Sequence, residues 1–289
     1  MATNLVSGIA PEGRLDPRNP YLKDPVELQS WVLMRNLSEV FKAAGADISD
    51  NSVRIQQWRV SDHPTLAELE AGNTWTGLSV SPYYRARNSY LAEPRPASTG
   101  MGVRRLLLAG GLIGVDMIAI HPDAAPGKHG VGVPEGVPSP LAGYSPAICN
   151  GDWVFLAGEI PTDWTGDWMS ERRMGEPSSL APEARVNPYF WYGSPIEVQT
   201  EFTLHKLERI AEAAGTSLDR CVKANVYISH PSEYEGMDRV WRQRFPKDPP
   251  ARVVIPYMGL GGKGTRIEID MILLANDSRL ARRTISSSS

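Results

Sequence analysis

Arg252 and Glu268 are the residues of this 289-residue chain whose chemistry most needs an explanation. Arg252 follows Pro250-Ala251 and opens the apolar run Val253-Val254-Ile255. A full charge in such a strand is costly unless an anion meets it. A guanidinium offers a carboxylate two parallel hydrogen bonds, so this residue type suits a small organic acid as ligand. An internal ion pair with an acidic neighbour is the other use of the same charge. Glu268 lies in TRIEIDMILL, residues 265–274, where Ile267, Ile269 and Met271 alternate with Arg266, Glu268 and Asp270. A carboxylate there can hold and polarise a water for attack on an electrophilic carbon. It can equally face solvent beside its two charged neighbours. Gly158, before Glu159-Ile160-Pro161, allows a backbone N–H to approach a ligand closely, or marks a strand bulge.

Other chemistries find no support in the spacing. His63, His121, His129, His205 and His230 show neither HxxxH nor HxH, so no metal is expected. Neither G-x-S-x-G nor a P-loop is present, and the GxGxxG spacing of residues 259–264 (GLGGKG) leads into a strand and not a helix, so no cofactor is expected. Gly261-Gly262-Lys263-Gly264 falls between two strands rather than before a helix, so it reads as a hairpin turn. Cys149 and Cys221 lack CxxC spacing and read as two buried thiols in a reduced compartment.

The elements that must position Arg252 and Glu268 occur twice. ELQSWVLMRNLSEVFKAAGADI (residues 27–48) and EVQTEFTLHKLERIAEAAGTSL (residues 197–218) share Glu, Gln, a leucine and the terminal Ala-Ala-Gly in register. LVSGIAP (5–11) matches FLAGEIP (155–161), and Pro96-Ala97-Ser98 matches Pro250-Ala251-Arg252. Matching order with offsets that change only at loops indicates a duplicated domain. The copies differ at polar positions: Ser98 and Gly114 of the first stand where the second has Arg252 and Glu268.

Each copy reads β-α-β-α-β-β. In the second, residues 152–160 form a buried strand and 196–214 a helix. Its inner stripe is Val198, Phe202, Leu204, Leu207, Ile210, Ala211 and Ala214, with Lys206 among the polar residues opposite. A strand at 221–228, a helix at 232–245 ended by PKDPP, and strands at 251–256 and 265–274 follow. The first copy gives a helix at 28–44, a strand at 52–60, a segment around 83–91 and strands at 101–109 and 112–120. The class is α+β: two tandem sandwiches, each a mixed sheet with two helices on one face. Residues 1–121 form the first domain, 122–140 a Gly/Pro-rich linker, 141–276 the second domain and 277–289 a polar, disordered tail. The aromatic-rich stretch 163–193 suits an interface or the cover of a site.

Composition narrows the function classes. Net charge is −3, which advertises no nucleic-acid surface. No apolar run reaches the length of a membrane span, and MATNLVSGIAPEG lacks a secretory pattern, so the expected location is cytoplasmic.

With these residues in view, the second copy resembles the Rid (reactive intermediate deaminase, YjgF-type) family. The resemblance rests on AGYSPAICNGDWVFLAGEIP, the Glu-x-Gln helix ending in EAAG, CVKANVYI, PARVVIP and TRIEIDMILLA. It covers residues 140–275, and 4–120 more weakly. It implies the chorismate-mutase-like sandwich, trimers with active sites between neighbouring domains, and cofactor-free hydrolysis of enamines and imines such as 2-aminoacrylate to a 2-oxo acid and ammonia. By the same resemblance Arg252 binds the substrate carboxylate, Glu268 holds the attacking water, and Tyr144 and Gly158 line the cleft. Asp238 takes the place of a helix asparagine, and Val254 that of a cysteine usual in the deaminase subgroup. Those departures point to a larger, aminomuconate-like substrate as readily as to 2-aminoacrylate.

The expectation is therefore an enamine/imine carboxylic acid deaminase with its site in the second domain and a degenerate first domain. A non-catalytic metabolite-binding or assembly protein is the alternative from another class. A carboxylate-substrate lyase or hydrolase on the same fold is the alternative among enzymes. Because each sandwich leaves one sheet face open, the expected assembly is a homotrimer of two-domain chains with its sites among the second domains.

Overall fold

A computed structural model describes residues 5–6, 25–60, 81–125, 127–140, 143–162, 180–187, 193–259, 264–278 and 280. The first domain runs β1 (Leu5–Val6), α1 (Pro25–Ala43), a single helical turn α2 (Ile48–Asn51), β2 (Ser52–Val60), α3 (Ser81–Tyr90), β3 (Ala97–Val103) and β4 (Ile113–Ala119). The second runs β5 (His129–Val131), β6 (Ala147–Asn150), β7 (Trp153–Glu159), α4 (Pro195–Ala213), β8 (Cys221–Ile228), α5 (Tyr234–Arg244), β9 (Ala251–Pro256) and β10 (Ile267–Leu274). Their sheets have the orders β1-β4-β2-β3 and β5-β6-β7-β10-β8-β9. The last four strands of the second sheet repeat the order of the first. In each domain the one parallel pair, β2/β3 or β8/β9, encloses a crossing helix.

Three expectations are corrected. The strand placed at 101–109 spans Ala97–Val103, because residues 104–112 leave the sheet before β4. The segment 122–140 is not only a linker: His129–Val131 pairs with β6 as an edge strand of the second sheet. Lys206 does not lie on the outer face of α4. It is buried, and its Nζ meets Glu159 at 2.6 Å, so a carboxylate at the end of β7 draws the ammonium inward. Residues 163–179 and 188–192 of the aromatic stretch, Gly261-Gly262-Lys263 of the hairpin turn and all of the tail beyond 280 lie outside the described residues. None of the described helices is long and apolar enough to cross a membrane.

The polar residues that recur between the copies hold the same joints twice. Gln29 Nε2 donates to the Gly110 carbonyl at 3.0 Å, and its Oε1 accepts from Leu112 N at 2.8 Å. Gln199 does the same with the Gly264 carbonyl (3.0 Å) and Arg266 N (2.7 Å). Glu27 meets Arg85 at 2.5 Å, and Glu197 meets Arg239 at 2.8 Å. Each glutamine thus fixes the connection into the last strand, and each glutamate ties the first helix to the crossing helix. Glu197 also closes a capping box on Ser194, and with Arg239 beside it its pKa falls to about 2.

One face of each sheet is covered by its own helices. Leu33, Leu37, Phe41, Ile55 and Tyr83 fill the first core; Leu207, Ile210, Val226, Met237, Trp241 and Ile269 are among those that fill the second. The other faces meet each other. Val53 and Ala97 of the first domain pack with Ile148, Phe155, Ala157 and Ile272 of the second, and Met101 packs with Tyr227 and Tyr257. All eight residues of β10 are buried, so Glu268 and Asp270 face the first domain and not solvent. The chain's own first domain occupies this face of the second sheet.

A polar network crosses the boundary. Arg54 Nη2 donates to both Asp270 oxygens, at 2.9 and 2.8 Å, and to Gln56 Oε1 at 3.0 Å. Asp270 also accepts from Asn225 Nδ2 (2.8 Å) and the Tyr227 hydroxyl (3.3 Å), which in turn accepts from Gln56 Nε2 (2.6 Å). Removing one member strands a buried charge. Asp270→Ala is expected to lower unfolding stability by about 3–5 kcal/mol, whereas Arg54→Met with Asp270→Leu costs less than the sum of the single changes. Urea unfolding of the four proteins checks this.

Candidate functional site

The site forms where β7 and β10 of the second domain meet β3 of the first. Glu268 projects from β10 toward Gly158, and a side chain at Gly158 would collide with the Glu268 carboxyl and with Thr99. The glycine is therefore required by close approach, not by a strained backbone. Gly100 N–H donates to Glu268, while Asp270 and Glu159 add negative charge nearby. Burial, with those two acids, drives the Glu268 pKa well above the ordinary carboxyl value, despite Gly100 and Arg54. Glu159 is raised as well, by burial, against the pull of Lys206.

Tyr144 enters from the segment before β6. Burial and the carboxylates of Glu159 and Glu268 raise its pKa far above that of a free phenol; Tyr84 acts in the same direction and Arg87 opposes. Tyr84 and Arg87 belong to α3 of the first domain. Burial raises Tyr84, the positive charges of Arg87 and Arg59 oppose, and Glu268 adds to the rise. The electrostatic neighbourhood of Glu268 thus draws on both domains. Glu268, Gly158 and Tyr144, selected from the sequence, come together here.

Arg252 and Asp238 do not join them. In the β8/β9 ladder Arg252 pairs with Ala224, a residue of the helix-facing core, so its side chain lies on the helical side of the sheet. Glu268 pairs with Tyr227 on the opposite side. Arg252 Nη2 meets Asp238 Oδ1 at 2.5 Å, and its guanidinium stacks 4.9 Å from the Trp241 ring and 5.9 Å from Tyr234. Burial would raise the Asp238 pKa, but Arg252 and Arg242 outweigh it and hold it below the ordinary value. Within one chain Arg252 already has a carboxylate.

Sequence reasoning missed Tyr84, Arg87, Thr99 and the acidic residue Glu159. The available signal was on α3, where Tyr83 and Arg87 are one turn apart and share a face. A cation on the inner stripe of a short helix points inward for a reason.

Residues 190–275 match the family profile described as Endoribonuclease L-PSP. A RutC family protein of Pyrococcus horikoshii is 31% identical over 139 residues, which are 48% of this chain and 91% of that one. The chain belongs to the RutC (Rid) family. Another RutC relative, described as the 3-aminoacrylate deaminase of Acinetobacter baylyi, is 26% identical over 137 residues, 47% of this chain and 90% of its own. Among solved structures, RidA from a Psychrobacter species aligns with 50% of this chain and 98% of its own, at 24% identity and a TM-score of 0.37.

The raised Glu268 pKa has a consequence for stability. The folded state holds this proton more tightly than the unfolded chain, whose carboxyl titrates near 4.5. Below that value both states are protonated and the group contributes no difference. As pH climbs from 4.5 through the folded pKa, stability is lost. Glu268→Gln is expected to match wild type at pH 4 and to exceed it at pH 8, and urea midpoints at the two values check the sign.

Proposed function

We propose that the chain is a cofactor-independent deaminase of a small 2-imino or 2-enamino carboxylic acid, with Glu268 carrying the proton chemistry. The observation that carries this reading is the buried, proton-retaining Glu268 against Gly158 and Tyr144 at the domain boundary. Membership of a family that includes a relative described as a 3-aminoacrylate deaminase supports it.

A carboxyl whose hold on its proton is strengthened by burial can act first as an acid. Glu268 gives its proton to the terminal carbon of the enamine, and the nitrogen lone pair closes an iminium. The resulting carboxylate then takes a proton from water as that water adds to the iminium carbon, giving a neutral carbinolamine. Glu268 returns the proton to the amino nitrogen, and the C–N bond breaks. The hydroxyl proton goes back to Glu268 as the carbonyl forms. Substrate and one water become a 2-oxo acid and ammonia, and the carboxyl ends as it began. Tyr144, held as a phenol, can donate to the forming oxygen.

Glu268→Gln preserves shape but cannot accept a proton. It is expected to lower kcat about 10²–10⁴-fold on 2-iminopropionate generated in situ by an amino-acid oxidase. Stopped-flow decay of the imine checks it, and a glutamine variant as fast as wild type overturns the assignment.

A further inference from the structure

Thr99 is buried at the domain boundary without the bonds that its neighbours have. It belongs to β3, between Ser98 and Gly100, and the register that matches Ser98 to Arg252 sets it against Val253 of the second copy. In the parallel ladder it pairs with Gln56. Gln56 is committed to Arg54 and Tyr227, and Asp270 to Arg54, Asn225 and Tyr227. Thr99 is 1% exposed, and its Oγ1 has no hydrogen-bond partner among the described residues. A buried hydroxyl left unbonded lowers stability, and a valine of nearly the same shape avoids that cost. The second copy has that valine; the first keeps the hydroxyl.

That hydroxyl stands beside Glu268. A Cβ on Gly158 would lie 2.2 Å from Glu268 Oε1 and 3.0 Å from Thr99 Oγ1, with Thr99 Cγ2 at 2.8 Å. Two oxygens this close to one point are separated by no more than those two distances together. That is about the reach of two hydrogen bonds placed end to end. Thr99 Oγ1 makes no direct bond to Glu268, so the two oxygens stand in the interval that one bridging water spans. The next residue of the same strand, Gly100, gives its N–H to Glu268 and fixes the carboxyl relative to Thr99. A side chain at Gly158 would press on both oxygens, so the glycine is what lets them share a ligand.

We infer that the Thr99 hydroxyl of the first domain holds the attacking water against Glu268 of the second. Thr99 Oγ1 accepts a hydrogen bond from one hydrogen of that water, while the Glu268 carboxylate takes the other as a proton. The water oxygen forms its bond to the iminium carbon, and the hydrogen facing Thr99 stays on the new hydroxyl. A carboxylate alone lets the water turn about a single hydrogen bond. Two acceptors on different domains fix both of its hydrogens and so the direction of its lone pair. The first domain then contributes a group that touches the reacting atoms. The role rests on the deaminase reading for the reaction, but the water site can be tested without turnover.

The experiment takes the full chain as wild type, Thr99→Val and Thr99→Ser, and combines crystal structures that place waters with stopped-flow decay of 2-iminopropionate. Wild type is expected to show a water within hydrogen-bond distance of both Thr99 Oγ1 and the Glu268 carboxyl, and Thr99→Val to lose it. Thr99→Val is expected to lower kcat roughly 10- to 100-fold, with KM within about twofold and a thermal midpoint no lower than wild type. Thr99→Ser keeps the hydroxyl and should hold kcat within about threefold of wild type. A threonine that serves packing alone predicts the reverse order, because valine keeps its shape and serine does not. If Thr99→Val lacks a native unfolding transition, Thr99→Ala replaces it with the same expected loss of kcat and water. Imine turnover by wild type that the valine or alanine variant matches, or a wild-type structure without the shared water, overturns the role of Thr99 and leaves the deaminase reading standing. A water present in wild type and lost with the hydroxyl, without imine turnover in any protein, overturns the deaminase reading and upholds the water site.

Discussion

The buried contact between Arg54 and Asp270 is the constraint on which the other features of the molecule depend. Two sandwich domains with open sheet faces could meet in many relative positions if apolar packing alone joined them. A guanidinium and a carboxylate held at 2.8 Å, with Gln56, Asn225 and Tyr227 taking the remaining bonds, allow only one. Burial works against the charge on Arg54, yet Asp270 and its neighbours keep that charge more firmly than in free arginine. Such a pair contributes little net stability over an apolar match, but it penalises every docking that separates the charges.

That fixed docking is also what makes Glu268 unusual. Asp270 is two residues along the same strand and on the same face, so the charge that Arg54 requires is also a like charge near Glu268. Burial at the boundary and that like charge both raise the carboxyl's pKa. Close approach of Thr99 to Gly158 and the Gly100 N–H bonded to Glu268 complete the enclosure. A group that costs stability above pH 4.5 is therefore held in place by a network built for docking. Strain of that kind is usual where a protein keeps a group ready for proton transfer.

The fold was legible because its signals are local. Periodicity gave α4 and α5, alternation gave β8 and β10, and the matching Glu-x-Gln segments gave α1 as the counterpart of α4. What could not be read was which domain face met which. Glu268 and Asp270 alternate with isoleucines as a half-exposed strand would, and only the arrival of the first domain turns their face inward. Lys206 shows the same limit, since its inward turn depends on Glu159 from a distant strand. Arg252 was legible as a charge needing an anion, but nothing along the chain said that the anion would be Asp238. For the site, the sequence marked Glu268, Gly158 and Tyr144; it hid Thr99 and Tyr84, which belong to the other domain.

The first domain's loss of counterparts to Arg252 and Glu268 is one-sided when followed in space. Ser98 and Gly114 lie on different strands, β3 and β4, and they serve different edges of the first domain. Gly114 pairs with Trp58 and Val6 and lies under Leu106, in a groove that Leu107 and Leu108 also line. Arg105 lines the same groove, and Asp116, two residues along β4, accepts from Trp58. Ser98 lies on the edge strand β3 opposite Ile55, and its hydroxyl donates to Gln57 Oε1 at 3.4 Å. The next two residues of that strand point the other way in function: Thr99 reaches Gly158, and the Gly100 N–H donates to Glu268.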